Sequence, residues 1–377
     1  MSSSPDLAGP PDLPGRPVSA LDGVVVLDLS TSAAGQYAGR LLAMNGADVV
    51  LVEPPGGTPT RYRGPSAGGD SFLFRHLNQG KRSIVLDVAS PSDRERLREL
   101  MGRADVVLRD QGSMAPEGAG ELLIDCVVGD APEGGAYNGW RFSEMIHQAL
   151  AGAMKTTGAF DREPIYGLGE RASYANGTTA YISVVSALYE RRRSGSGQRV
   201  DATVFESLAA MGQNIVSQYS YNGTGATRQR YPGFLALLRC ADAWIVIFVI
   251  RNWPTVCRVL DCEHLLDDER YRTSGDRLRH WEEIVAVLQE RAATRRADEV
   301  VEGCQRGRVS AEKVTSLRDL LESEQWRVRR VMSRVSGPDG EEAAVRSLFT
   351  IGGAVCEVRS ASPRLPEPSA RHERRPA

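Results

Sequence analysis

The chain has 377 residues, 46 Lys+Arg against 48 Asp+Glu, a formal charge of −2 and 41% hydrophobic residues. That length predicts two domains or three, at roughly 100–200 residues each, with apolar material for a sizeable core. The balanced charge excludes a nucleic-acid binder, which carries a basic excess.

The only lysines are Lys81, Lys155 and Lys313, and every other basic residue is arginine. Such a bias follows coding composition, so an isolated arginine says little about a phosphate site. Cys126, Cys240, Cys257, Cys262, Cys304 and Cys356 form no CxxC pair, which predicts a reducing compartment and no zinc site. The N-terminus is rich in Pro, Ser and Gly and lacks the apolar region of a signal peptide. The longest apolar run, Ala243 to Ile250, falls short of the about 20 residues that span a bilayer. These features predict a soluble cytoplasmic protein.

In chain order, residues 1–20 read as a disordered tail. Val24–Leu29 is apolar except for Asp28, as in a strand buried on both faces. A helix follows over Ala34–Asn45, closed by Gly46, and a second strand over Asp48–Glu53. Ser83–Val88 is a third strand, Ser92–Met101 a charged helix, and Asp105–Leu108 and Leu122–Val128 further strands. This alternation predicts parallel βαβ units in an α/β, Rossmann-like sheet. Helices are predicted over Arg141–Met154 and Asn176–Arg193, then a strand over Arg199–Val204 and a helix over Phe205–Ser217. Tyr219–Gly233 reads as a linker. Beyond it lie a strand at Trp244–Val249 and helices at Trp253–Leu260, His280–Ala292 and Ala297–Arg306. Ser316 to Ala361 reads as a helix plus β-hairpins, and residues 362–377 as a second disordered tail.

Local motifs are scarce. There is no P-loop, no GxGxxG and no HExxH. The one GxSxG match, Gly64–Gly68, lies in a Gly/Pro-rich loop and reads as chance. The five histidines do not cluster in sequence, and no metal site is predicted.

Spaced blocks carry more. Leu21-Asp-Gly-Val-Val-Val-Leu-Asp-Leu29, Asn45-Gly46 through Glu53-Pro-Pro, and Asn78-Gln-Gly-Lys81-Arg82-Ser83-Ile-Val-Leu86-Asp87 occur in order. Gln148-Ala149, Ala187-Leu188-x-x-Arg191 and Gly195-x-Gly197-Gln198-x-Val200-Asp201 follow. Together these resemble the class III CoA-transferases, over about residues 20–362. The resemblance implies a large Rossmann-like domain built from both chain ends (21–218 and 316–361) and a smaller inserted α/β domain behind its linker (219–315). It also implies an intertwined dimer, acyl-CoA and a carboxylic acid as partners, and a CoA thioester as substrate.

The family's chemistry uses an aspartate that attacks the thioester, since a carboxylate is ionised at neutral pH and forms and releases an acyl bond. Alignment on the Gly197-Gln198 block puts Ser173 at that position, so the aspartate is missing. Ser173 is a nucleophile only with an activating base, and is otherwise a small polar loop residue. Glu170, three residues upstream, and Glu144 are the alternative carboxylates. The family's racemase branch places a histidine directly before the acidic position; here Ser143 precedes Glu144 and His147 stands one turn on, which disfavours that reaction.

The resemblance maps CoA contacts to Ala33, Ala34, Leu86, Asp87, Val88, Ala89, Asp110, Gln111, Gly112 and Arg141. Pro54 and Ala89 replace cations that members of the family carry, and Asp110 adds a negative charge. Each lost charge-assisted contact removes roughly 1.5–3 kcal/mol of phosphate binding. Lys81 and Arg82 read as ion-pair partners beside the sheet. Three readings stay open: an acyl-CoA enzyme with altered catalytic residues, a non-catalytic subunit paired with an aspartate-bearing paralogue, and a binding protein on the same fold. Homodimer and heterodimer both remain possible.

Overall fold

The computed structural model describes residues 19–66, 69–118, 120–225, 228, 235–249, 252–337, 340–346, 349–351 and 354–366. The expected tails up to residue 18 and from residue 367, and most of the expected linker after residue 225, lie outside these residues. The chain divides into two compact units: Met1–Thr157 with Pro164–Ala226 and Val328–Ala377, and Gly158–Glu163 with Thr227–Arg327.

The first unit is built on strands β1 (Val25–Asp28), β2 (Asp48–Glu53), β3 (Arg82–Val85), β4 (Val106–Asp110), β5 (Ile124–Gly129) and β6 (Gln198–Thr203). All pair in parallel, in the order β3-β2-β1-β4-β5-β6. The fold class is therefore α/β. Chain direction across the sheet reverses between β1 and β4, and in open parallel sheets ligands bind outside the strand ends at that switch.

Helices α1 (Ala33–Met44), α2 (Phe72–Asn78), α3 (Pro91–Met101), α4 (Glu144–Leu150) and α5 (Arg171–Ser194) cover or border the sheet, and α6 (Val204–Met211) and α7 (Gln213–Asn222) follow β6. Val26, Val49, Val106, Ile124 and Cys126 bury one sheet face against α1 and α5. Small residues let those two helices meet closely: a Cβ on Gly177 would stand 2.6 Å from the Ala34 carbonyl oxygen.

The sheet also buries charge. Lys81 Nζ donates to Asp28 Oδ2 at 2.8 Å, the Gln36 carbonyl at 2.7 Å and Asn78 Oδ1 at 2.9 Å, with no side-chain exposure at Lys81 or Asp28. Arg82 instead pairs with Asp48 at the surface, at 2.7 Å. Arg61 holds Glu53 through two nitrogens and Asp70 through the third, each at 2.7 Å, and its guanidinium lies 3.7 Å from the Phe74 ring centroid. Arg61 also donates to the Pro363 carbonyl at 3.1 Å, and Ser362 is buried. Residues 362–366, assigned to a tail by composition, are thus packed on the first unit, because a buried guanidinium draws in a further acceptor.

The second unit pairs β7 (Leu235–Arg239), β8 (Trp244–Phe248) and β9 (Ala311–Lys313) antiparallel. Helices α8 (Trp253–Val259), α9 (Ser274–Arg279), α10 (Trp281–Ala292) and α11 (Ala297–Arg306) lie between β8 and β9 in the chain. Its core gathers Leu238, Ile245, Ile247, Val256, Trp281, Ile284 and Val300. After α12 (Leu317–Glu322) and α13 (Glu324–Val328), the chain forms the hairpins β10 (Met332–Gly337) with β11 (Gly340–Val345) and β12 (Thr350–Ile351) with β13 (Ala354–Val355). Val335 and Ala344 of the first hairpin bury against Leu41 and Met44 of α1.

Candidate functional site

The turn after β1 meets the end of β4 at the switch point. Asp110 Oδ2 accepts from the Thr31 amide at 2.6 Å, the Thr31 hydroxyl at 2.7 Å and the Ser32 amide at 3.2 Å, while Oδ1 accepts from the Ser32 hydroxyl at 2.6 Å. Ser32 in turn caps α1 through the Gly35 amide. Amides at the start of a helix ordinarily suit an anionic ligand; here the protein's own carboxylate takes the neighbouring ones. Burial pushes the Asp110 carboxyl above its ordinary pKa, against the bonds from Ser32 and Thr31, which lower it.

A second carboxylate organises the start of α5. That helix begins at Arg171, five residues earlier than its sequence pattern predicts, so Ser173 lies in its first turn and not in a loop. The cap comes from another element. Glu144, at the start of α4, accepts from the Ala172 amide at 2.5 Å and from Gln148 Nε2 at 3.0 Å through Oε1. Its Oε2 accepts from the Ser173 amide and the Ser173 hydroxyl, both at 3.3 Å. One oxygen is tightly anchored and the other loosely held, facing Ser173. Gln148 is fixed in turn by a reciprocal pair with the backbone of Gly167, at 3.1 and 2.9 Å.

Ser173 lines a cavity of about 660 Å³ with Ala34, Asp110, Gln111, Gly112 and His147. His147 stacks on Phe142 with ring centroids 5.0 Å apart, and its Nε2 lies 2.9 Å from Asp130 Oδ1.

The residues expected at the site separate into groups. Ala34, Asp110, Gln111, Gly112 and Ser173 share this cavity, and Glu144, outside its lining, accepts from Ser173. Ala33 is buried beside Ala34 in the first turn of α1. Glu170 turns away to Arg63, at 2.8 Å. Leu86, Asp87, Val88 and Ala89 follow β3, the outermost strand on the far side of β1 and β2, and do not line the cavity. Arg141 is exposed and outside the lining, although its neighbours Trp140 and Phe142 are part of it. Sequence reasoning missed Asp130, Tyr137 and the anchoring role of Gln148. The spacing of Glu144 and Gln148, one helical turn apart, is the signal that would have found the last.

Among the described residues, no group of three or more His, Cys, Asp or Glu is placed to hold a metal ion, and no helix is long and apolar enough to cross a membrane.

Comparison with known proteins gives a consistent result. A succinyl-CoA:mesaconate CoA-transferase of Haloarcula hispanica is 30% identical, over 92% of this chain and 92% of its own length. A formyl-CoA:oxalate CoA-transferase of Streptomyces avermitilis is 27% identical, over 93% of this chain and 94% of its own. The crystal structure of a CAIB/BAIF family protein from Brucella suis superposes with a TM-score of 0.85 at 26% identity, covering 92% of this chain and 96% of that one. Residues 21–120 and 122–368 match the sequence profile of CoA-transferase family III, and the chain belongs to that family.

Proposed function

We propose that this protein acts on acyl-CoA thioesters and moves CoA between carboxylic acids, with Glu144 as the acyl acceptor. The observation that carries this reading is the Glu144 carboxylate seated on the Ser173 end of α5. The family's attacking aspartate maps to that end. A carboxylate retains the chemistry of the family, whereas a serine does not. Attack by Oε2 on the thioester carbonyl expels the CoA thiolate and leaves a mixed anhydride. The thiolate then attacks the glutamyl carbonyl and releases the first acid, giving a glutamyl-CoA thioester. The second acid takes over the CoA through the same two steps in reverse. A seryl ester would keep the acyl group and could not carry CoA.

The contacts at Glu144 support these roles. The bonds at Oε1 fix the carboxylate, and the two long bonds leave Oε2 the more available oxygen. The Ala172 amide, bonded to Oε1, suits the oxyanion that forms on Glu144 when the thiolate attacks the glutamyl carbonyl. Ser173 is a positioning residue in this scheme, since a carboxylate is far too weak a base to ionise its hydroxyl.

One observation favours a second reading, that of a non-catalytic subunit beside an aspartate-bearing paralogue. Among the described residues, no lysine or arginine lines the cavity at the switch point to meet the CoA phosphates. The two readings part on the purified chain alone: CoA exchange between a labelled acid and an acyl-CoA, lost in Glu144→Ala, supports the first. Absence of exchange until a paralogue is added supports the second. An intertwined dimer, a large domain formed by both chain ends with a smaller inserted domain, and a cytoplasmic setting belong to the proposal as well. Exposed Met211, Tyr219 and Tyr221 on α6 and α7 support the dimer. Six reduced, buried cysteines support the compartment.

A further inference from the structure

A smaller cavity, of about 280 Å³, lies in the first unit where the start of β10 meets the end of β11. Arg329, Arg330 and Arg346 line it with Phe349 and Thr350, and among the described residues no carboxylate does. In the sequence, Arg327, Arg329, Arg330 and Arg334 fall between Glu324 and Asp339 with no acidic residue among them. A single arginine says little in this arginine-rich chain. Three around one cavity concentrate a positive charge that nothing on its wall offsets.

The wall is held in place. The Arg346 amide donates to the Val331 carbonyl at 3.0 Å, its Nη1 donates to the Arg330 carbonyl at 2.9 Å, and Arg40 of α1 donates to the Val345 carbonyl at 2.9 Å. Arg330 has a φ of 48°, in the left-handed region that a side chain rarely adopts, and residues held there gather at ligand sites. The cations are under-used. Arg346 is 9% exposed, its buried Nε has no hydrogen-bond partner, and Glu357 meets it only at 3.4 Å from a side chain 63% exposed. Arg329 and Arg330, both exposed, are in no ion pair among the described residues.

Three guanidiniums around one space suit a dianion with three outer oxygens better than a planar carboxylate with two. A phosphate monoester carries about −1.5 to −2 charge at pH 7 and three acceptor oxygens, which arginine forks grip in pairs. We propose that this cavity binds a small phosphate-bearing molecule, with Arg329 and Arg330 as its contacts, Arg346 as the fixed charge in its wall, and Phe349 beside the rest of the ligand. It shares no residue with the cavity at the switch point. Its hairpin packs on Leu41 and Met44, at the other end of α1 from Ala34. The inference therefore holds whether or not Glu144 carries an acyl group.

Calorimetry on the full-length chain tests it with three probes of one shape: phenyl phosphate, benzoate and phenol. Phenyl phosphate should bind saturably, benzoate at least tenfold more weakly, and phenol not at all. Arg329→Ala and Arg330→Ala, both at exposed side chains, should each weaken phenyl phosphate binding about tenfold with the circular-dichroism melting curve unchanged. No binding of phenyl phosphate, benzoate or phenol binding as tightly as it does, or phenyl phosphate binding indifferent to both substitutions would overturn the proposal.

Discussion

Glu144 and Ser173, 29 residues apart, meet at the first turn of α5, where Glu144 Oε2 lies 3.3 Å from both the Ser173 amide nitrogen and its hydroxyl oxygen. This contact explains why α5 starts where it does. The first amides of a helix lack partners within it, and a carboxylate from α4 supplies them. Glu144→Ala should lower stability by about 1–2 kcal/mol, in the range of a lost cap. Glu144→Gln should cost less, because it keeps an acceptor oxygen. Chemical denaturation of the two variants checks the order; equal losses would mean the carboxylate does not cap the helix.

Lys81 and Asp28 form a fully buried pair. Lys81→Met strands Asp28 and should cost about 3–5 kcal/mol. The double variant Lys81→Met/Asp28→Leu should cost less than the sum of the single changes, since each single change leaves an uncompensated charge. Gly39→Ala reports on the same spot, because its Cβ would fall 2.4 Å from Asp28 Oδ2 and 2.8 Å from Lys81 Nζ. Additive losses in the cycle would show that the pair is not coupled.

His76 packs near Tyr37 and Tyr174, and burial, with the Arg40 charge, lowers its pKa to about 4 from 6.5. The folded chain therefore holds His76 neutral where the unfolded chain protonates it. Between those two values the unfolded state binds more protons, so stability rises with pH, by up to about 1.4 kcal/mol per unit from this group. Urea midpoints measured from pH 4 to 6.5 should climb less steeply in His76→Phe. An unchanged slope would contradict the assignment.

Burial alone would raise the pKa of Glu53, but hydrogen bonds from Arg61 and Ser83 and the Arg61 charge outweigh it and hold the carboxyl below its ordinary value. A depressed carboxylate stabilises the fold above its unfolded pKa, and that contribution is lost as pH falls through the folded value. Arg61→Lys cannot reproduce the two-nitrogen grip on Glu53. It should move the acid-unfolding midpoint to higher pH, as followed by tryptophan fluorescence; no movement would sink this account.

The sheet was legible in the sequence because its strands are short apolar runs between turn signals. Asp48–Glu53 has the predicted bounds, and α1 differs from them by one residue at each end. What the sequence hid depends on distant partners. The start of α5 is set by Glu144, and the packing of residues 362–366 by Arg61, so neither appears in any local pattern. β7 was missed because Leu235–Arg239 alternates buried and exposed positions over only five residues. At the site, the resemblance to the family, aligned on the Gly197-Gln198 block, implies that Ser173 stands where the family carries its aspartate. That a glutamate from another helix accepts from Ser173 is not legible there, because the sequence pattern places Ser173 in a loop. The acidic cavity was equally hidden: Asp110 ends β4 while Asp130 and Glu133 follow β5, and only parallel pairing of those strands brings them together.

The central claim is that Glu144 accepts the acyl group and then CoA. Its most direct test is incubation of the purified chain with succinyl-CoA and hydroxylamine, followed by peptide mass spectrometry. Hydroxylamine attacks a glutamyl thioester, releases free CoA and leaves a hydroxamate on the side chain. The account predicts that hydroxamate on the peptide containing Glu144, present in Ser173→Ala and absent in Glu144→Gln. An acyl group on Ser173, or no modification of Glu144 while the chain exchanges CoA, would contradict it.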